Sequence, residues 1–172
     1  MNVALTGFMG AGKTVTGRQL ARLLALRFVD TDEEIVRRHG PVAAIFASEG
    51  EPAFRVYETQ VIEEVARAGP CVIAVGGGAV QNDGNRRRLR AGGFIVHLGV
   101  SAFTAFRRVQ RRQHRPLLGP KPDIDHVRTL LAARAAAYAD CDLTIHVDHK
   151  SPLVTAKIIA RWYADRTQGR LP

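Results

Sequence analysis

Eight consecutive residues, GFMGAGKT from Gly7 to Thr14, lie within the stretch Thr6 to Gly17 that stands directly after the apolar run NVAL and directly before RQLARLLAL, whose leucines repeat at helical spacing. They match G-x-x-x-x-G-K-[ST] where that pattern needs to lie, between a strand and the helix it opens. Glycines there let successive backbone N–H groups turn inward around a phosphate, and the helix N-terminus adds the positive end of its dipole. Lys13 is then placed to bridge the β and γ phosphates of a nucleotide, and Thr14 to offer its hydroxyl to Mg²⁺. A chain that opens this way is committed to a sheet whose first strand ends under a bound triphosphate.

The rest of the chain fits such a sheet. NVALT, RFVD, CVIAV, FIVHLGV and DLTIHV are too short and too β-branched for helices and predict five strands. Amphipathic segments with recognisable ends lie between them. Thr31 with Glu34 predicts a capping box, Pro41 starts a turn of helix that Gly50 stops, and Ser101 and Ser151 stand at N-cap positions, the latter followed by Pro152. Parallel strands need crossover connections, so helices between all strands predict an α/β fold: a doubly wound, five-stranded parallel sheet flanked by helices. At 172 residues, 46% hydrophobic and 24% charged, the chain has the size and composition of one domain over 1–172 with no internal repeat. One stretch, residues 113–124 (QHRPLLGPKPDI), has three prolines, one glycine and no period. It reads as a surface loop or as a mobile lid over a binding site, and a long loop in a compact domain is usually functional.

Charge and composition narrow the classes of function. Lys plus Arg number 25 against 16 Asp plus Glu, so the protein attracts anions without specifying which. No apolar stretch approaches the roughly 18 residues that cross a bilayer, and Met1 leads straight into a strand without a signal-peptide pattern, so the expected location is the cytoplasm. Cys71 and Cys141 lie apart, each beside an apolar run, and read as buried small hydrophobes in a reducing compartment. The six histidines form no set with metal-ligand spacing.

Several side chains complete a phosphoryl-transfer site. Asp30 follows the strand RFV, at the C-terminal edge of the sheet where α/β ligands bind, and is placed to hold the Mg²⁺ shell through water. Asp32, two residues on, is placed to accept a hydrogen bond from the hydroxyl being phosphorylated; the alternative is that both acids only favour a helix start. Gly76, Gly77 and Gly78 end the third strand, where something approaches the backbone closely or the chain simply turns. No Asp ends that strand and no NKxD occurs, which disfavours a hydrolytic motor and a guanine switch. Arg55 has Glu58 three residues on to hold its fork, Arg115 stands in the candidate lid, and Arg134 lies in AARAAAY on a helix otherwise too small and apolar to need a charge. Two arginines aimed at one point suit a substrate carboxylate, although each alone also reads as surface charge. The runs NRRRLR (85–90) and RRVQRR (107–112) lack interleaved aromatics and read as helix surface rather than a nucleic-acid site, with Arg108 a neighbour of adenine.

With those residues in place, the chain resembles shikimate kinase from end to end, through GFMGAGKT, FVDTDEEI, IFASEGEPAFRVYE, VIAVGGGAV, HRPLL and RAAAY in that order. The resemblance implies a P-loop, nucleoside-monophosphate-kinase-like fold with a lid at 113–124 and substrate-binding helices within 31–69. It implies that Mg·ATP phosphorylates the 3-hydroxyl of shikimate on the way to chorismate and the aromatic amino acids. Carried over, Gly10, Ala11, Gly12, Lys13, Thr14 and Val15 bind ATP with Arg108, Arg115 and Lys150, the last at the adenine rim. Thr14 and Asp30 serve the metal. Asp32 binds shikimate hydroxyls, Arg55 and Arg134 take its carboxylate, Gly76, Gly77 and Gly78 line it with Gly77 in contact, and Arg115 covers the phosphates. Lys13, Asp32 and Arg115 are the implied catalytic residues. The chain departs from the family at Val15, where a threonine is frequent, and at Ala135 to Ala137, where a proline commonly precedes the tyrosine. The partners expected are ATP and shikimate, with no nucleic acid and no membrane, and the expected state is a monomer.

Two other readings share parts of this pattern. A gluconate kinase-like enzyme has the same loop and fold but no evident need for DTD, FR and GGG together. An RNA-associated P-loop NTPase would account for the positive charge, and its affinity would fall steeply with salt.

Overall fold

A computed structural model describes residues 1–110 and 123–168. Five strands form one sheet: β1 (Asn2–Thr6), β2 (Arg27–Asp30), β3 (Cys71–Ala74), β4 (Gly93–Gly99) and β5 (Leu143–His146). Their order is β2-β3-β1-β4-β5 and every pairing is parallel. The α/β, doubly wound reading holds, and each expected strand lies within one residue of its place at either end.

The strands alternate in a way that requires cover on both faces. From β1, Val3 and Leu5 enter one core and Ala4 the other; from β4, Val96 and Leu98 part from Ile95 in the same manner. On the first face pack α1 (Lys13–Leu24) and α8 (Pro152–Gln168), through Leu20, Ala21, Ala156 and Ile159. On the second lie α2 (Thr31–His39), α3 (Val42–Ser48), α4 (Gly50–Arg67), α5 (Asp83–Gly92), α6 (Ala102–Gln110) and α7 (Ile124–Ala139), with a 3₁₀ turn at Ala79–Gln81. The strand order reverses beside β1, whose neighbours β3 and β4 come later in the chain on opposite sides. A crevice therefore opens at the carboxyl end of β1, where the loop 7–14 begins.

Local details correct four expectations. Thr31 is not the cap of α2: Asp30 is, its Oδ1 accepting from the N–H groups of Asp32 (3.0 Å) and Glu33 (3.4 Å). Two good capping residues stand side by side there, and tertiary structure chooses, because the Thr31 hydroxyl accepts from the Gly76 N–H at 3.2 Å and ties α2 to the end of β3. Glu34 pairs instead with Arg37 and Arg38. Gly50, at φ +82°, opens α4 rather than only ending α3. Ile124 belongs to α7, capped by Asp123, so the expected lid overlaps a helix at its last residue; the rest of 113–122 lies outside the described residues. Cys71 is buried as expected, but Cys141 is half-buried with Sγ 3.2 Å from Thr144 Oγ1. The caps at Ser101 and Ser151 hold, each accepting from an N–H three residues on at 3.2 Å. No helix among the described residues is long and apolar enough to cross a membrane.

Candidate active site

The end of the crevice at the loop 7–14 is built mostly from backbone. Gly12 sits at φ +86°, a conformation L side chains rarely adopt, and from it α1 starts at Lys13, which sets the N-terminus of the helix at the end of the loop. The Lys13 ammonium donates to the carbonyls of Gly7 (2.7 Å) and Phe8 (3.3 Å), so it lies across the loop it serves. A cavity of about 480 Å³ follows, walled by Met9 to Thr16, with Asp30 and Asp32 at one side and Arg108, Val147 and Lys150 at another. This brings together Gly10, Ala11, Gly12, Lys13, Thr14, Val15, Arg108 and Lys150 as expected from sequence. Arg108 donates to the Gly10 carbonyl at 2.9 Å and lies 3.5 Å from that of Val147, so the guanidinium ties the loop to the strand-end segment after β5. Lys150 donates to the His146 carbonyl at 2.9 Å on the same rim.

That rim has a further anchor which sequence alone did not single out. The Asp148 carboxylate accepts from the Ser101 N–H (3.0 Å) and hydroxyl (2.5 Å), joining the segment after β5 to the cap of α6. Burial works against the charge, but the hydrogen bonds from Ser101 and Thr104 outweigh it and hold the carboxyl down to about 2.

Between α1 and the start of α2, Thr14 and Asp30 meet: the threonine hydroxyl donates to Asp30 Oδ2 at 2.7 Å. Asp30 thereby uses one oxygen to cap α2 and the other to face α1. Two hard oxygen ligands beside the phosphate loop suit Mg²⁺, which takes few protein ligands and keeps waters and phosphate oxygens. Among the described residues no cluster of three or more His, Cys, Asp or Glu could hold a metal without such help.

The end at Gly76 to Gly78 is built from side chains. Gly76 shows how tightly: a Cβ there would stand 2.5 Å from Glu58 Oε1 and 2.9 Å from Asp32 Oδ1, so two carboxylates converge over one glycine. A Cβ on Gly78 would meet the Arg55 guanidinium at 2.9 Å, and one on Gly77 would come within 3.7 Å of Arg134 Nη1. Three successive glycines thus face Asp32, Glu58, Arg134 and Arg55 in turn, which excludes the simple-turn alternative for GGG. Arg55 donates to Glu58 (2.9 Å) and to Glu51 (2.8 Å) and lies over the Phe54 ring, 5.4 Å from its centroid. Arg134 is only 4% exposed, donates to the Gly77 carbonyl at 3.2 Å and lies 5.5 Å over Phe8. A guanidinium so buried is not surface charge.

Glu58 is the member that sequence undervalued. It is 1% exposed, and its Oε1 has no hydrogen-bond partner among the described residues. Burial pushes its carboxyl up, with Asp32 adding to the rise, against the pull of Arg55 and Arg134. The only sequence signal was its position one helical turn after Arg55, which gave a partner but not a place in the pocket. Tyr138, one turn after Arg134, was missed in the same way; its hydroxyl donates to the Gly77 carbonyl at 2.6 Å.

The basic runs are mostly spent within the fold. Arg86 and Arg90 pair with Asp140, Arg88 with Glu63, and Arg107 lies over Phe103. Arg115 lies outside the described residues.

The chain is similar to known proteins over most of its length. A family model described as shikimate kinase matches residues 9–163. The chain is 44% identical over 144 residues to a shikimate kinase of Cereibacter sphaeroides, covering 83% of this chain and 72% of that protein. The solved shikimate kinase from Acinetobacter baumannii in complex with shikimate superposes with a TM-score of 0.90 at 35% identity, covering 99% of this chain and 95% of that one. A gluconokinase from Sinorhizobium meliloti, at 20% identity and a TM-score of 0.63, shares the fold alone.

Proposed function

The chain belongs to the shikimate kinase family, and from that premise we propose that it transfers the γ-phosphoryl group of ATP to the 3-hydroxyl of shikimate, giving shikimate 3-phosphate and ADP. The observation that carries the substrate is the convergence of Arg55, Arg134, Asp32 and Glu58 on Gly76 to Gly78, beside the phosphate loop. Two guanidinium groups call for a carboxylate, and two carboxylates call for hydroxyl donors, so the acceptor is a polyhydroxy acid.

Each residue then has a task. The backbone from Gly10 to Val15 cradles the phosphates, Lys13 neutralises the bridging region, and Arg108 and Lys150 border the adenine. Thr14 would hold Mg²⁺ directly and Asp30 through water; when bound, the ion neutralises charge building on the phosphates. Asp32 orients the 3-hydroxyl and takes its proton as that oxygen bonds to phosphorus and the bond from phosphorus to the ADP oxygen breaks. Arg55 and Arg134 fix the carboxylate end, with Gly77 in contact with the ring. Arg115, which lies outside the described residues, would add positive charge over the phosphates, and helices within 31–69 carry the acceptor side.

An ADP-release assay across shikimate, quinate and gluconate tests the reading. Shikimate should be turned over at least about 10²-fold more efficiently than gluconate, since an open-chain acid cannot meet both arginines and both carboxylates at once. Equal turnover of gluconate would overturn the assignment.

A further inference from the structure

We propose that Tyr138, backed by His97, is a positioning residue for the carboxylate end of the phosphoryl acceptor, acting through the Gly77 carbonyl and Arg134; this rests on the acceptor reading above.

The Gly77 peptide has glycine on both sides, which leaves its plane free to turn unless something holds it. Two donors meet its carbonyl oxygen: the Tyr138 hydroxyl at 2.6 Å and Arg134 Nη1 at 3.2 Å. A carbonyl oxygen has two lone pairs, so both bonds can be made together. The tyrosine fixes the carbonyl, the carbonyl fixes one edge of the guanidinium, and the rest of the fork is left to face a carboxylate. Both side chains come from α7 four residues apart, so they rise from one face of the helix onto one acceptor. The segment between them is Ala135 to Ala137, which has no proline to set the direction of Arg134, and the tyrosine supplies that constraint by hydrogen bonding.

Tyr138 is itself held. It is 5% exposed, and its ring stacks on His97 of β4 with centroids 4.6 Å apart and planes 24° from parallel. His97 Nδ1 lies 3.4 Å from the Thr6 hydroxyl at the end of β1, immediately before the phosphate loop. The chain of contacts from the end of β1 to the acceptor pocket is therefore Thr6, His97, Tyr138, Gly77 and Arg134. Burial, with Lys13 and His146 nearby, keeps His97 neutral at ordinary pH, so the stack sets no second cation behind Arg134.

The test compares Tyr138→Phe, His97→Ala and His97→Phe with wild type, using shikimate and methyl shikimate as acceptors and recording thermal unfolding in parallel. Tyr138→Phe keeps the ring and loses only the hydroxyl that meets Gly77 and Arg134, so it should raise KM for shikimate about 5- to 10-fold while KM for ATP and the unfolding temperature stay near wild type. Its kcat/KM for methyl shikimate, which offers no carboxylate to Arg134, should change less than about twofold. His97→Ala should show the same acceptor-specific rise, and His97→Phe, which restores a flat ring, should recover most of it. An unchanged shikimate KM in Tyr138→Phe overturns the proposal, as does an equal loss on both acceptors, which marks a purely structural residue. If wild type gives no shikimate-dependent ADP release, the acceptor reading fails and takes this proposal with it. Wild-type turnover with an indifferent Tyr138→Phe sinks the proposal alone.

Discussion

The two ends of the crevice solve their recognition problems by opposite means. The proposed nucleotide end is local: eight residues in a row supply most of its wall, and the groups assigned to the phosphates are backbone N–H groups with Lys13 and Thr14. The acceptor end is distributed: Asp32 comes from α2, Arg55 and Glu58 from α4, Gly76 to Gly78 from the end of β3, and Arg134 from α7. A backbone site tolerates substitution of most side chains around it but depends on one or two. A side-chain site spreads its dependence over every member, because each is held separately, Arg55 by Glu51 and Glu58 and Arg134 by the Gly77 carbonyl. Substitutions should therefore be all-or-none at the first end and graded at the second.

The largest effect belongs to Lys13→Ala. It removes the ammonium that lies across the phosphate loop, donating to the carbonyls of Gly7 and Phe8, and should lower kcat by about 10³-fold or more with little change in far-UV circular dichroism. Retention of turnover within tenfold would mean that the loop's backbone suffices, and the local end would not depend on one residue.

Asp32→Asn comes next and belongs to the distributed end. The amide cannot take the hydroxyl's proton, so kcat should fall about 10²-fold or more while KM for ATP holds. Binding of shikimate measured without nucleotide separates the roles: affinity within a few-fold of wild type supports proton handling, whereas a loss of affinity as large as the loss of kcat points to orientation alone.

Legibility in the sequence follows the same division. The phosphate loop was readable because its chemistry, glycines for the turn and a lysine and hydroxyl at its end, is fixed by neighbours in the chain. The strands were readable because a doubly covered sheet leaves near-continuous apolar runs such as CVIA, buried throughout. Glu58 and Tyr138 were not, because helical phase gives their partners, Arg55 and Arg134, without saying which face meets Gly76 to Gly78. The cap of α2 was misplaced for a related reason: Asp30 and Thr31 both suit an N-cap, and only the distant Gly76 N–H decides between them.

Graded losses are expected from the arginines. Arg55→Lys and Arg134→Lys keep the charge but lose the planar fork, so each should chiefly raise KM for shikimate, about 10- to 100-fold, with kcat reduced less. Arg134 should be the more sensitive, since it is 4% exposed whereas the Arg55 side chain is 28% exposed and has two carboxylate partners. Steady-state kinetics with ATP saturating checks both. An equal and small effect at both positions would remove the carboxylate clamp from the acceptor end.

The smallest effect lies where the two ends touch, at His97, and it is one of stability. Burial first, then Lys13 and His146, lower this histidine from the ordinary 6.5 to about 4. Between those values the unfolded chain binds the proton and the folded one does not, so stability is full above about 6.5 and drains away as pH falls toward 4. His97→Phe lacks that proton site, and its unfolding midpoint in urea should fall less steeply than wild type's between pH 6.5 and 4.5. Other groups do not imitate this difference. Glu34 and Asp148, both held down to about 2, begin to lose their contribution only as pH drops below their ordinary carboxyl values. Glu58, which burial pushes up, tilts the curve in the opposite sense, but it does so in both proteins and cancels in the comparison. Parallel curves for wild type and His97→Phe over that window would show that the histidine already titrates in the folded protein as it does in water, and that the contact between the end of β1 and α7 is looser than the stack on Tyr138 implies.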